Sequence, residues 1–559
     1  MKKYIKFLIS MVSMILLTTS CSDSFLDEKV LDAFAPQSLN DKLGFEAAAI
    51  GLHNTFSTMY TTDGDQTFLG MWVLGTDEVW APSGRSNGMA RPYFDYSQLT
   101  PTDAAASKVW TSLYKLINNA NIIIKSSESG NTVGMTQEEL DAFNGEARFF
   151  RAYSYNMLAT LYGGVPLITD PISDAKTDFV RATLVDVNTV IEQDLLFAIS
   201  KLPNINSLVH KGRIHKAVAN QLLAEVYLRL NKPDLAEDQC DAIIKSEDFR
   251  LVTSRFGVRA NKSGDAFSDM FILGNQRRSQ GNKEVIWVLE QENPTDVPGG
   301  STGNPQQRRV WVGAYYDLPG MTVADTIGGR GIGRIRLNNW VLYDLYKGND
   351  MRNSKFNIHR KHYFNNTDAK YSTVYGKPIP YGQDATFKLA DNSQLKIFAS
   401  DTIYKYAPYT LKWGQLDSRD IFGYGMRKDF IIMRLGETYL LRAEARFKQT
   451  NLLGAAADIN VLRNRANATN VSSSDITLNF ILDERARELI GEENRRMTLV
   501  RTGTLVQRAT NLTGTAPLAG GAIETTNGLQ SFHTLLPIPQ SEINLNKDAV
   551  LEQNQGYNN

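Results

Sequence analysis

Two Ala-rich helix pairs are the strongest constraint on what this chain can fold into. The first spans 214–246 and turns through Asn231-Lys232-Pro233-Asp234, with Pro233 suited to the first turn of the second helix. Small positions at Ala217, Ala219, Ala224, Ala236 and Ala242 let the two helices approach closely. The pattern recurs where Glu437 to Lys448, with Tyr439, Leu440, Ala443 and Ala445, leads through a short turn into Leu452 to Asn467. Such tetratricopeptide-type hairpins bury their apolar faces only by stacking on neighbours, so an array is expected.

Other segments have the same period. Helices are expected at 42–59, 105–127, 136–162, 183–201 and 478–501. Residues 105–127 place Trp110, Leu113, Leu116, Ile117 and Ala120 at three- and four-residue spacing, and 136–162 ends in the stop signal Gly163-Gly164 before Pro166. Residues 60–104 and 250–430 differ: they are rich in Gly, Asn, Asp and aromatics, and helical periodicity is weak except at 337–346. At 559 residues the chain exceeds one small core. The fold class expected is therefore mostly α. The helical scaffold is drawn from about 41–250 and 430–505, with a loop-rich insertion at about 250–430 and an extended segment at 505–559.

The N-terminus reads as an export signal. Lys2, Lys3 and Lys6 precede an apolar run, Phe7 to Leu17, too short to span a bilayer. It ends in Leu17-Thr18-Thr19-Ser20-Cys21, which resembles a bacterial lipobox with its Leu one place further out than usual. A signal peptide at 1–20, lipid attachment at Cys21 and a polar tether at 21–40 are expected. Two acyl chains on one Cys would meet the requirement of stable anchoring. The second cysteine, Cys240, falls in a helical pattern and reads as a small core residue. A formal net charge of zero gives no electrostatic reason to expect nucleic acid.

Six blocks in order resemble the SusD/RagB family of outer-membrane nutrient-uptake lipoproteins. They are Leu113-Tyr114 through Asn118 to Ile123; Gly145 to Tyr153, closing on Leu161 to Leu167; Leu222 to Leu228; Arg434 to Leu440 with Arg442 to Ala445; Asp483 to Leu489 with Gly491-Glu492; and Leu536 to Asn544 followed by Gln553 to Tyr557. Departures fall near the C-terminus: Asn494, Arg495 and Arg496 stand where the family usually has His, Arg and an aromatic, with Thr498, Thr502 and Gln555 also unusual. They read as changes of packing. The resemblance implies a SusD-like helical scaffold with inserted loops forming a binding face. The protein would lie at the outer-membrane surface, cap a SusC-like TonB-dependent transporter and deliver oligosaccharide to it, without bond chemistry. A peptide-capturing, RagB-like member with the same fold is the alternative.

Sugar capture needs aromatic planes for the C–H face of a ring and planar polar groups for its hydroxyls. Two loops supply both, where the family's ligand-binding loops fall: Asp77, Trp80, Arg85, Asn87, Arg91 and Tyr93 in the first, and Asn304, Gln306, Gln307, Arg308, Trp311, Tyr315 and Tyr316 in the second. Trp72, Trp110, Trp287, Trp340 and Trp413 lie in more regular apolar contexts and are expected in the core. Glu484 and Glu488, interleaved with Arg485 and Arg487, read as a helix-surface ion network rather than a catalytic pair. The run Gly328 to Gly333 lacks the Lys-Ser/Thr of a phosphate loop, and His359 and His362 lack further ligands nearby. No enzyme, metal site or cofactor is expected, with a loop-bracing calcium ion left open. A pure protein-binding scaffold and a carbohydrate-active enzyme are the remaining rivals.

Overall fold

The computed structural model describes residues 39–61, 67–81, 91–298, 300, 303, 305–402, 405–415, 422, 425–512 and 527–557. The signal, Cys21, most of the tether, Arg85, Asn87 and Asn304 lie outside the described residues.

Helices begin where the sequence supplies caps. In α1 (Lys42–Ser57) the Asp41 carboxylate accepts from the Gly44 amide at 2.9 Å. Asp103 caps α2 (Ala104–Glu128), and Thr136 with Glu139 forms a reciprocal capping box on α3 (Gln137–Tyr162). There follow α4 (Leu184–Lys201), α5 (Lys216–Arg229) and α6 (Pro233–Ile244). After the insertion come α7 (Leu435–Lys448), α8 (Leu452–Arg465), α9 (Leu478–Leu489), α10 (Arg495–Arg501) and α11 (Leu505–Leu512).

Each helix from α2 to α6 packs on the next, and α7 then packs directly on α6, so the array continues across the insertion. Small buried residues stand on both helices, Ala236 on α6 and Ala445 on α7, and Ala443 of α7 clusters with Ala455 and Ala456 of α8. Arg442 fastens it, at 2.6 Å from both Asp241 on α6 and Asp458 on α8. Arg446 repeats the bracket with Glu237 and Asp458 at 2.8 and 2.9 Å. No helix among the described residues is long and apolar enough to cross a membrane.

The insertion is zipped at its base by β2 (Val285–Leu289) and β4 (Phe430–Arg434), antiparallel, with Leu289 opposite Phe430. Trp287 on β2 enters the scaffold core, stacked on Phe56 at 4.8 Å and edge-on to Phe149 at 5.5 Å. Above that base the insertion has its own apolar cluster, including Val312, Tyr315, Phe364, Tyr406 and Tyr409.

Three expectations change. The helix expected at 478–501 divides into α9 and α10, because Gly491 takes φ +79° and its carbonyl accepts from Trp413 Nε1 at 2.6 Å. At 337–346 only one wide turn forms, Trp340–Asp344, with Leu345 bonded back to Trp340. The segment expected as extended from 505 opens with α11.

Candidate functional site

The first loop is fastened from the far end of the chain. Asp77 is fully buried and accepts from Arg495 Nη2 at 2.7 Å and from Arg508 Nε at 2.6 Å. Burial alone would raise its pKa; the two guanidiniums reverse this and hold the carboxyl below the usual range. Arg496 donates to the carbonyls of Met71 and Leu74 and to the Tyr96 hydroxyl. Tyr93 is buried and donates to Asp103, the cap of α2, at 2.7 Å.

Beyond this anchor the chain forms β1 (Val79–Trp80), paired with β3 (Arg336–Leu337), with Trp80 opposite Arg336. Trp80 is 7% exposed, and its Nε1 has no hydrogen-bond partner among the described residues. Arg336 donates onward to the Tyr381 hydroxyl at 2.8 Å.

The second loop meets the first. Gln307 Nε2 donates to the Tyr60 carbonyl at 3.0 Å, and the short helix Gln307–Trp311 packs on the short helix Thr67–Met71. Arg308 is buried and donates to the carbonyls of Gln415 and Gly425, both at 3.2 Å. Trp311 keeps the same 7% edge as Trp80. Tyr315 is buried, donating to the Gly329 carbonyl at 2.7 Å. Its neighbour Tyr316 is half-buried, with the Arg330 guanidinium 6.0 Å from its ring; Arg330 in turn donates to the carbonyl of the exposed Phe422.

The expected residues therefore divide. Asp77, Tyr93, Arg308 and Tyr315 spend their polar atoms inside the protein and hold the loops in place. Arg91 is exposed, its guanidinium 5.5 Å from the Phe94 ring, and Tyr316 also reaches the surface. Trp80 and Trp311 show only an edge, little more than the core residues Trp110 at 3% and Trp287 at 1%, and about the same as Trp72 at 8% and Trp340 at 9%. Trp413 is half-buried.

Other aromatics, outside the two loops, stand further out of the protein. Tyr363, Tyr375, Phe398 and Phe422, all in the insertion, are 47%, 56%, 53% and 65% exposed. The only signal for them in the sequence is their setting among Asn, Lys, Gly and Asp without an apolar period.

Glu484 and Glu488 form an ion network, as expected, but not on a helix surface: both are fully buried. Arg352 Nη1 lies 2.8 Å from Glu484 and 3.1 Å from Glu488, and Arg434 and Arg465 also bind Glu488. Segments folding back over α9 create this burial. The Glu488 carboxyl resists the burial that would raise its pKa and is held well below the usual range by these guanidiniums, so it faces cations rather than a cleft.

Residues 267–557 match the SusD family, and residues 78–228 match a family described as "Starch-binding associating with outer membrane". SusD-like protein P25 of Formosa agariphila is 24% identical over 97% of this chain and 96% of its own length. Starch-binding protein SusD of Bacteroides thetaiotaomicron is 40% identical over 129 residues, 23% of this chain and 22% of that protein. Among solved structures, surface glycan-binding protein A from Bacteroides thetaiotaomicron, in complex with laminarihexaose, superposes with a TM-score of 0.66 at 18% identity, over 92% of this chain and 100% of that one. At that identity the likeness is one of fold.

Proposed function

The chain belongs to the SusD family, and from that premise we propose that it is a glycan-binding lipoprotein of the outer-membrane surface. In this reading Cys21 bears the lipid, and the body captures oligosaccharide and hands it to a SusC-like TonB-dependent transporter without bond chemistry. The names of its relatives, a starch-binding protein and a glycan-binding protein with bound laminarihexaose, support the ligand class.

The observation that carries the reading is the meeting of two loops remote in sequence, through Gln307 and Tyr60, on one side of a rigid helical array. Rigid scaffolds bearing irregular aromatic loops are suited to capture. The contact surface proposed is the edges of Trp80 and Trp311 with Tyr316 and Arg91, extended by Arg85, Asn87 and Asn304; Asp77, Tyr93, Arg308 and Tyr315 act beneath it.

Calorimetric titration of the purified chain with malto- and laminari-oligosaccharides, set against short peptides, tests the ligand class. Binding of peptides alone would replace the glycan reading with a peptide-capturing one. Trp80→Ala and Trp311→Ala each lower the affinity for the oligosaccharide that binds; unchanged affinity in both sinks the proposed surface.

A further inference from the structure

A cleft of about 650 Å³ opens within the insertion, and none of the residues expected from the two loops lines it. Its walls include Phe271, Phe356, Ile358 and Leu411, and the half-exposed Tyr363 also lines it. A groove with apolar walls and an accessible aromatic can receive the C–H face of a sugar ring.

Its charges do not balance. Lys355, Arg360 and Lys361 all line the cleft, and among the described residues none of them pairs with a carboxylate. Arg360 is half-buried, and its Nε and Nη2 both donate to the neutral Asn353 side-chain oxygen at 2.9 and 2.6 Å. Among the described residues Asp325 is the only carboxylate of the lining, and Arg259 neutralises it at 2.5 Å. Lys412, deeper in the wall, is spoken for by Glu492. A guanidinium drawn out of water without a counter-charge costs free energy that an arriving anion would recover. Arg352, Arg434, Arg465 and Arg495 are each met by carboxylates, whereas Arg496 is sealed in the core on backbone carbonyls; Arg360 differs from both in lining an open cleft.

We infer that this cleft is a second binding site, for an anionic sugar whose acid group, a carboxylate or a sulfate ester, sits on Arg360 between Lys355 and Lys361 while its ring lies on Tyr363. The inference rests on the glycan-binding reading and narrows its ligand class. His359, also in the lining, has a buried Nε2 with no hydrogen-bond partner among the described residues.

The test is calorimetric titration of the purified chain with tetragalacturonate, a heparin-derived tetrasaccharide, and neutral malto- and laminaritetraose. Tetragalacturonate binding alone identifies a carboxylate site, and heparin tetrasaccharide binding alone a sulfate site. Arg360→Gln weakens the acidic ligand by about tenfold, the worth of a charge-assisted hydrogen bond, and Tyr363→Ala weakens it as well, both at unchanged melting temperature. Equal affinity of Arg360→Gln and the parent for the acidic ligand overturns the inference. So does a parent chain that binds a neutral tetrasaccharide but neither acidic one, which leaves the glycan reading standing. Failure to bind any of the four sinks both.

Discussion

Arg495 Nη2 lies 2.7 Å from Asp77 Oδ2 with both side chains fully buried, a bond between a loop near the N-terminus and the first turn of α10. Arg508 of α11 completes the clamp, its Nε 2.6 Å from the same Oδ2. Arg496, next along α10, holds the same loop against the scaffold through the carbonyls of Met71 and Leu74.

Removing one partner of such a cluster strands the others. Asp77→Ala leaves two buried guanidiniums short of a carboxylate and is expected to cost about 3–5 kcal/mol. Replacing Asp77 with Leu and Arg495 with Met together should recover part of that loss, since the uncompensated charge is smaller. Urea unfolding of the single and double variants measures both, and a mild Asp77→Ala would mean that the clamp contributes little.

Glu78, next along the chain, is buried; among the described residues neither of its carboxylate oxygens accepts a hydrogen bond, with Arg495 Nε 3.3 Å from Oε1. Burial pushes its pKa up to about 8, with Glu493 and Asp77 adding to the rise and Arg495 opposing it. Between its unfolded value near 4.5 and about 8 the folded state holds the extra proton, so this contribution to stability is full at low pH and is lost as pH rises through that window. Glu78→Gln should therefore stabilise the protein relative to the parent more at pH 8.5 than at pH 5. Equal differences in unfolding free energy at the two pH values would contradict the assignment.

Gly75 has φ +63°, and a Cβ there would fall 1.6 Å from the Tyr93 carbonyl oxygen, with the Tyr96 hydroxyl 2.7 Å away. Backbone cannot yield as a side-chain tip can. Gly75→Ala is expected to destabilise by on the order of 2–4 kcal/mol, from the backbone conformation and the clash together. Gly130, at φ +72° with nothing near its Cβ position, is the control: Gly130→Ala should cost only about 1 kcal/mol, the conformational part alone. Parallel denaturant titrations of the two variants separate the terms.

The scaffold was legible because its signals are local. The three- and four-residue apolar period of 105–127, the Gly163-Gly164 stop, Pro233 at a helix start and the Ala-rich contact faces all act within a few residues, and the helices appear within a few residues of expectation. The break at Gly491 was not legible, since it answers to Trp413, which reaches it from the insertion. The candidate loops were recognisable from their composition, but not which side chains turn inward. That is decided by remote partners: Arg495 for Asp77, the carbonyls of Gln415 and Gly425 for Arg308, and Gly329 for Tyr315. An aromatic or polar residue in a Gly-rich loop looks the same whether it serves the ligand or the loop.

Tyr315 and Tyr316 put that distinction to the test within one dipeptide. Their rings meet edge-on at 5.8 Å, yet Tyr315 is fully buried and Tyr316 is not. The Tyr315 hydroxyl donates to Gly329 and accepts from the Ala324 amide at 3.1 Å, so its work is to hold the 324–329 turn. Tyr315→Phe leaves a buried carbonyl and amide unpaired and is expected to lower stability by about 1–3 kcal/mol, with little change in oligosaccharide affinity at temperatures where the fold persists. Tyr316→Ala should do the reverse: stability within about 1 kcal/mol of the parent, as at other partly exposed positions, and oligosaccharide binding weakened by about fivefold or more, the worth of a lost stacking platform of roughly 1 kcal/mol. Melting curves and calorimetric titration on the same two preparations read both effects. If Tyr315→Phe lost affinity while Tyr316→Ala kept it, the contact surface would lie on the other side of this loop.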